Sequence, residues 1–178
     1  MNATKFLAEI AVDVVTKKIQ DEIALALQNT EALHSSILTA TPPINLSCEP
    51  PRSYFIYETP LTFRAPAVFL IADSIDFRKE RGANFVDAAL KLYCSVVIED
   101  KDAERLTRKA WRYQAALNQV LDQSILTIPG QEFKMVVKVT DAAFSPIASL
   151  PTDPNDRSAV FRKEVSLTLM VENFEPLY

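Results

Sequence analysis

The stretch from Asp87 to Gln123, DAALKLYCSVVIEDKDAERLTRKAWRYQAALNQVLDQ, changes its hydrophobic period halfway. From Leu90 to Ile98 the apolar residues alternate. Leu90, Leu92, Cys94, Val96 and Ile98 share one side, and Lys91, Tyr93, Ser95 and Glu99 share the other. Period two is the mark of a strand with one buried face. After Glu99-Asp100-Lys101-Asp102 the period becomes helical, and Leu106, Ala110, Tyr113, Leu117 and Leu121 fall into one stripe. Asp100 is placed to cap this helix, while Asp102 and Glu104 put negative charge in the first turn, where the helix dipole favours it. The inner face of the strand and the stripe of the helix need the same core. The expected fold class is therefore α+β, a mostly antiparallel β-sheet with helices packed on one face.

The flanking sequence extends this plan. Residues 3–28 read as a long N-terminal helix, capped by Asn2 or Thr4, with Phe6, Ile10, Val14, Ile19, Ile23 and Leu27 near helical spacing. It either runs on to Ile37 or breaks at Asn29-Thr30. Thr39 to Pro51 is a Pro-rich loop, and Ser53 to Phe63 is an aromatic segment whose Pro60 limits it to an edge strand or an extended arm. Ala67 to Ala72 reads as a short strand buried on both faces that ends in Asp73-Ser74-Ile75-Asp76. Phe77 to Asn84 is a charged turn. Ser124 to Gln131 reads as a connector, Phe133 to Thr140 as a half-buried strand with an uneven continuation to Phe144, and Ser145 to Arg157 as a long polar loop. Ser158 to Phe174 is the clearest strand, with Phe161, Val165, Leu167, Leu169 and Val171 on one face. Segments 68–73 and 87–99 should pair antiparallel, as should 132–143 and 158–173. The whole is expected to be one domain over 1–178: a helical segment 1–38, a Pro-rich loop or arm 39–66, and a sheet-plus-helix core 67–174.

Composition excludes several kinds of chemistry. With two glycines, Gly82 and Gly130, neither a GxGxxG nor a P-loop phosphate cradle can be written. One histidine, His34, and two distant cysteines, Cys48 and Cys94, supply neither a catalytic base beside a nucleophile nor a metal-ligand set. Cys94, on the apolar side of its strand, reads as a buried thiol, and no disulfide framework is expected. Asp153-Pro154-Asn155-Asp156 lacks the ligand spacing of a calcium loop and reads as a turn. The acidic pairs Asp73/Asp76 and Glu99/Asp100/Asp102 stand at strand ends and a helix start, where capping explains them. The expectation is no catalytic residue, no cofactor and no metal. A net charge of −4 argues against a dedicated nucleic-acid surface. Neither a signal peptide nor a membrane-length apolar run is evident, and the two cysteines fit a reducing, intracellular origin.

Three places stand out as contact candidates. Trp111 lies with Arg108 and Arg112 beside the main helical stripe, where it either closes the edge of the core or anchors an interface. Arg78, Lys79 and Arg81 make the turn after Phe77 the most basic spot in the chain. Asp153 and Asp156 lie in the polar loop before the last strand.

Between residues 60 and 173 the layout resembles the tail terminator (tail-completion, head–tail joining) proteins of tailed bacteriophages. The likeness is carried by the apolar strand after Pro66 (AVFLIADS) and the charged hairpin leading into Ala88-ALKLYCSVVIED. It continues in the helix Glu104-RLTRKAWRYQAALNQVL and the closing strand Val160-FRKEVSLTLMV, with its Arg near the start. The long N-terminal helix and the Pro-rich 39–66 segment depart from that pattern. The resemblance implies a structural virion protein, not an enzyme, that caps the tail tube as a hexameric ring, ends tail elongation and joins tail to head or neck. It implies assembly in the host cytoplasm and residence in the tail or neck of the virion. Implied partners are further copies of the chain, the tail tube protein, head–tail connector or neck proteins and, as an additional candidate, a tail sheath, with DNA passing through the lumen without specific binding. Trp111, Arg108 and Arg112 would then sit at a subunit interface, and the 73–86 hairpin and 145–157 loop would contact tube or neck. The alternatives are another head–neck adaptor or tube-cap subunit of a phage-like assembly, and a small-molecule-binding α+β domain.

Overall fold

A computed structural model describes residues 7–37, 46–56, 63–78, 87–127, 134–150 and 159–174. Helix α1 (Leu7–Ile37) opens the chain. Strands β1 (Ser53–Phe55), β2 (Ala67–Arg78) and β3 (Asp87–Asp100) follow, then helix α2 (Ala103–Leu121), β4 (Ser124–Thr127), β5 (Lys134–Phe144), β6 (Ala148–Leu150) and β7 (Val160–Phe174). The described strands form one sheet in the order β1-β2-β3-β7-β5-β4, with β6 also on β7. Only β1 and β2 pair parallel; every other ladder is antiparallel. Both helices pack on one face of this sheet, so the α+β architecture is the one the period change dictates.

The alternating residues of β3 explain why. Leu90, Leu92, Cys94 and Val96 are fully buried and Ile98 nearly so. Across the β3–β7 ladder they meet Val165, Leu167, Leu169 and Val171, equally buried on the same face. The roof is the α2 stripe Leu106, Ala110, Tyr113, Leu117 and Leu121, widened by Ala116 and Val120, together with Ala11, Val15, Ile19, Ile23 and Leu27 of α1. Both expected pairings form, each antiparallel, β2 on β3 and β5 on β7.

The structure settles or corrects the finer expectations. The N-cap of α2 is Asp102, not Asp100: its Oδ1 accepts from the Arg105 N–H at 2.8 Å. Asp100 stands one step earlier, accepting from the Asp102 N–H at 3.0 Å, because the strand carries it inward before the chain turns. Helix α1 passes through Asn29-Thr30 without a break. Thr30 satisfies its hydroxyl on the Ala26 carbonyl at 2.8 Å, and the neighbouring Ala26 and Leu27 are held in the core. The proposed caps Asn2 and Thr4 lie outside the described residues.

Strand β2 does not end at Ala72. A register shift between Ala72 and Ser74 lets it run on to Arg78, and its burial on both faces holds only for Ala67 to Leu70. There the outer side is covered by aromatics: Phe55 stacks on Phe69 at 5.0 Å between centroids and Phe63 meets it edge-on at 5.2 Å. Of the Ser53–Phe63 segment, the strand is Ser53–Phe55, at the sheet edge.

The Ser124–Gln131 connector contains a strand, β4, too short to show a period: Leu126 turns inward against Met135 while Ile125 stays 63% exposed. The polar loop expected from Ser145 is not found as far as Leu150, because β6 continues β5 along β7; residues 151–157 lie outside the described residues. Pro146 interrupts the ladder there, having no N–H. Ser145 bridges the gap: its N–H donates to the Glu164 carbonyl at 2.9 Å and its hydroxyl accepts from the Glu164 N–H at 2.8 Å.

Between α2 and β4 the chain turns through Asp122 and Gln123, and Gln123 has φ of 56°, the left-handed region that favours glycine. A Cβ there costs about 1 kcal/mol, offset in part by the extra freedom a glycine has when unfolded. Gln123→Gly should therefore raise stability by about 0.5 kcal/mol in urea unfolding, and Gln123→Val, β-branched at the same φ, should lower it.

Candidate functional site

Helix α2 separates the three residues that the sequence groups on it. Trp111 is 54% exposed. Arg108 lies on the same outward side and bonds Glu104 one turn back, Nε to Oε1 at 3.0 Å. Arg112 points the other way, toward α1, and is buried. Its Nη1 donates to the Leu46 carbonyl at 3.1 Å, its Nη2 to His34 Nδ1 at 3.2 Å, and Glu31 Oε1 lies 3.8 Å away. A guanidinium only donates, so His34 accepts on Nδ1. Within one chain Arg112 is thus part of a clasp, and the outward pair is Trp111 with Arg108.

The clasp ties three distant segments together. Glu31 accepts from the Cys48 N–H at 2.9 Å, and the Tyr113 hydroxyl donates to the Glu49 carbonyl. Burial, with Glu31 beside it, pushes the Cys48 thiol up to about 11, and burial likewise raises Tyr113. Burial alone pushes the Cys94 thiol up to about 12. Neither thiol is therefore a nucleophile at neutral pH. The one signal of the clasp in the sequence is the spacing of Glu31 and His34, which places both on one side of α1.

At the β3–α2 corner the acidic run is absorbed by cations. Arg105 Nε reaches both oxygens of Asp100 at 2.8 Å, and Lys109 Nζ reaches Oδ2 at 2.9 Å. Burial would raise the Asp100 pKa, but these bonds outweigh it and hold the carboxyl well below the usual carboxylate range. Glu99, on the outer side of the same strand, takes the Arg162 guanidinium at 2.9 Å, and Arg162 also lies over the Phe63 ring at 4.7 Å. Asp73 pairs with Lys91 at 3.1 Å. These carboxylates have structural partners, although Asp73 lies inside β2 and not at the strand end expected for it. Lys163 escapes sequence reading: it occupies an inward position between Phe161 and Val165, is buried, and donates to the Ser145 carbonyl at 2.6 Å.

Two clefts bear on ligand binding. One, of about 130 Å³, is lined by Glu49, Ala65, Pro66, Ile98, Glu99, Lys109 and Tyr113. Its Lys109, Glu99 and Tyr113 are already committed to Asp100, Arg162 and the Glu49 carbonyl. The other is a more apolar groove of about 380 Å³ between Phe63, Val97, the Ser145–Ala148 segment, Arg162 and Glu164. Among the described residues no three His, Cys, Asp or Glu side chains are grouped as a metal would need.

Lys79, Arg81, Asp153 and Asp156 lie outside the described residues, and of Arg78 the structure places the backbone at the end of β2. The topology still fixes where their segments are anchored. Arg78 and Asp87 are paired at one end of the sheet, with Lys134 and Phe174; Leu150 and Val160 are paired at the other, beside Asp100. The residues flanking the two segments thus lie at opposite ends, separated by the 14 residues of β3, which span on the order of 45 Å at strand rise.

No protein-family model and no curated protein matches the chain. The structural comparison gives a chain of a solved structure described as the virion of a native gene transfer agent (GTA) particle, 13% identical, aligned over 86% of this chain and 93% of the other with a TM-score of 0.32. A likeness of that size carries neither fold family nor function.

Three substitutions test these contacts. Asp100→Asn should cost about 2 kcal/mol at pH 7, since hydrogen bonds from charged groups to a buried carboxylate are lost. The folded pKa is depressed, so this contribution is present above the unfolded carboxylate value and disappears as pH falls through the acid range. The urea midpoints of wild type and variant should therefore begin to approach each other as pH falls through the unfolded carboxylate value of about 3.9 and meet only well below it, as the depressed folded value is passed. Arg112→Leu should cost about 2 kcal/mol by leaving the Leu46 carbonyl and His34 Nδ1 without their donor, whereas Arg108→Ala should stay within about 0.5 kcal/mol.

Proposed function

We propose that this chain is a structural subunit of a tailed-phage-like particle, capping the tail tube as a hexameric ring that ends tail elongation and joins the tail to head or neck. The observation that carries the reading is the arrangement of the two candidate contact segments. The residues that flank 79–86 and those that flank 151–158 lie at opposite ends of one continuous sheet. A tube cap has two neighbours along the tail axis, one on each side. A sheet with one candidate segment joined at each end fits that task. The pattern resemblance over residues 60–173 supports the same role.

In this reading the chain is not an enzyme and uses no cofactor. Its partners are further copies of itself, the tail tube protein and the neck or connector proteins, with a tail sheath as an additional contact. The net charge of −4 suits a lumen through which DNA slides, because phosphate contacts come from Lys and Arg. Trp111 and Arg108, both outward, supply the subunit contact. The chain's place is the tail or neck of the virion, after assembly in the host cytoplasm.

Light scattering across a dilution series tests the ring: the expected mass is six times the 19.9 kDa of one chain. Pre-formed tail tubes should stop elongating when the protein is added. A monomer at every concentration that neither binds tubes nor halts their growth would sink the proposal.

A further inference from the structure

The segment from Leu46 to Arg52 has no regular structure, yet it is held across the two helices. Leu46 and Pro51 are buried near its two ends. Between them the grip is polar: Arg112 donates to the Leu46 carbonyl, Glu31 accepts from the Cys48 N–H and the Tyr113 hydroxyl donates to the Glu49 carbonyl. At the far end the Arg52 N–H donates to the Pro66 carbonyl at 2.8 Å, and the chain enters β1. The segment is a strap, and on the helix side its bonds are made by side chains of α1 and α2.

One member of this clasp belongs to the residue type that changes charge between pH 5 and pH 8. His34 is half-buried and takes part through the Nδ1 lone pair, because the Nη2 of Arg112 can only donate. A proton on Nδ1 removes that lone pair and sets an imidazolium against a buried guanidinium.

The charges around it are already committed. On α1, Glu31 accepts from the Cys48 N–H at 2.9 Å and lies 3.8 Å from Arg112. From the strap, Glu49 is turned to Arg52, and the Cys48 thiol is neutral, pushed up to about 11 by burial and by Glu31. From α2, Lys109 is held by Asp100 and Tyr113 is uncharged. With His34 neutral the clasp holds one cation, Arg112, and one carboxylate, Glu31. With His34 charged it holds two cations. Among these groups the anion placed to answer the new charge is Glu31, three residues back on the same helix. What Glu31 gives to His34 it withdraws from Arg112 and from the Cys48 N–H.

We infer that His34 and Arg112 form a proton-released latch: when His34 is charged, Arg112 lets go of its ring, and the 46–52 strap loosens from α1 and α2 while β3 and β7 stay paired. The central ladder does not need the strap, since its inner row is covered by the stripes of α2 and α1. His34 is the one histidine of the chain, so histidine titration acts at this place alone. The latch works within a single chain and stands apart from the ring reading.

Amide hydrogen exchange tests it, because the Cys48 N–H is one of the bonds that the latch secures. The full chain and its His34→Gln variant are compared from pH 8 to pH 5, each rate being divided into the intrinsic rate at that pH to give a protection factor. Glutamine keeps a neutral acceptor for Arg112 and takes up no proton. The two proteins should protect the Cys48 amide equally at pH 8. By pH 5 the wild type should fall below the variant by about tenfold, the size of one hydrogen bond. Equal protection at every pH overturns the latch. A loss shared by the amides of β3 and β7 also overturns it, since the pH effect would then belong to the whole fold. Where His34→Gln does not fold, the wild type alone decides: protection lost toward pH 5 in the strap and kept in β3 and β7 supports the latch, and protection unchanged in the strap overturns it.

Discussion

The buried row from Ala88 to Ile98 on the inner side of β3 is the constraint on which the rest depends. Six apolar side chains in alternation require a cover along the whole strand, and neither neighbouring strand can supply it. α2 does, because it starts at the corner where β3 stops and folds straight back over that row. α1 covers what α2 leaves. The two helices must then be held at a fixed spacing, and Arg112 does this from between them, bonding α1 through His34 and the 46–49 segment through Leu46. A lysine in that position could not reach both partners, since its donors do not form a planar fork.

The corner itself shows local electrostatics serving the same end. Four polar residues, Glu99 to Asp102, end the strand and lead into the helix, and each acidic one has a separate duty. Glu99 holds Arg162 on the outer side, Asp100 gathers Arg105 and Lys109 on the inner side, and Asp102 caps the helix. The first turns of α2 are thereby tied to the last residue of β3. The direction of the helix is set by the same residues that end the strand.

Much of this was legible in the sequence, and the limits have physical causes. The long periodic elements, β3, α2, β7 and α1, could be read because many residues repeat one choice. β4 could not, since Ser124-Ile125-Leu126-Thr127 spans two periods at most, and its fate was decided by Leu126 finding Met135. β6 was hidden by Pro146, which signals a loop locally, while Ser145 repairs the ladder through a contact with a residue far along the chain. Asp100 was misplaced as the cap because a sequence does not show how far a strand carries a side chain inward. The same holds for the contact residues. Trp111, Arg108 and Arg112 look alike on a helical wheel's flank, yet Arg112 is taken up by His34 and Leu46, partners that no spacing rule connects to it. Lys163 sits in a row of apolar residues and was passed over because a buried lysine contradicts the pattern. Its partner is a carbonyl made available by the interruption at Pro146.

The central ladder has a kinetic consequence. β2 with β3, and β5 and β6 with β7, are hairpins between neighbouring segments, but the β3–β7 pairing joins residues that are roughly 60 to 80 positions apart. Everything between them, including α2 and β4, lies inside the loop that this pairing closes. The two hairpins are cheap to start and the seam between them is expensive, so closing the seam is the step at which long-range entropy is lost. Until it closes, both central strands have an open edge, and an extended segment of any other chain could add there. The step that loses the most chain entropy is thus also the one before which two strand edges stand open to other copies of the chain.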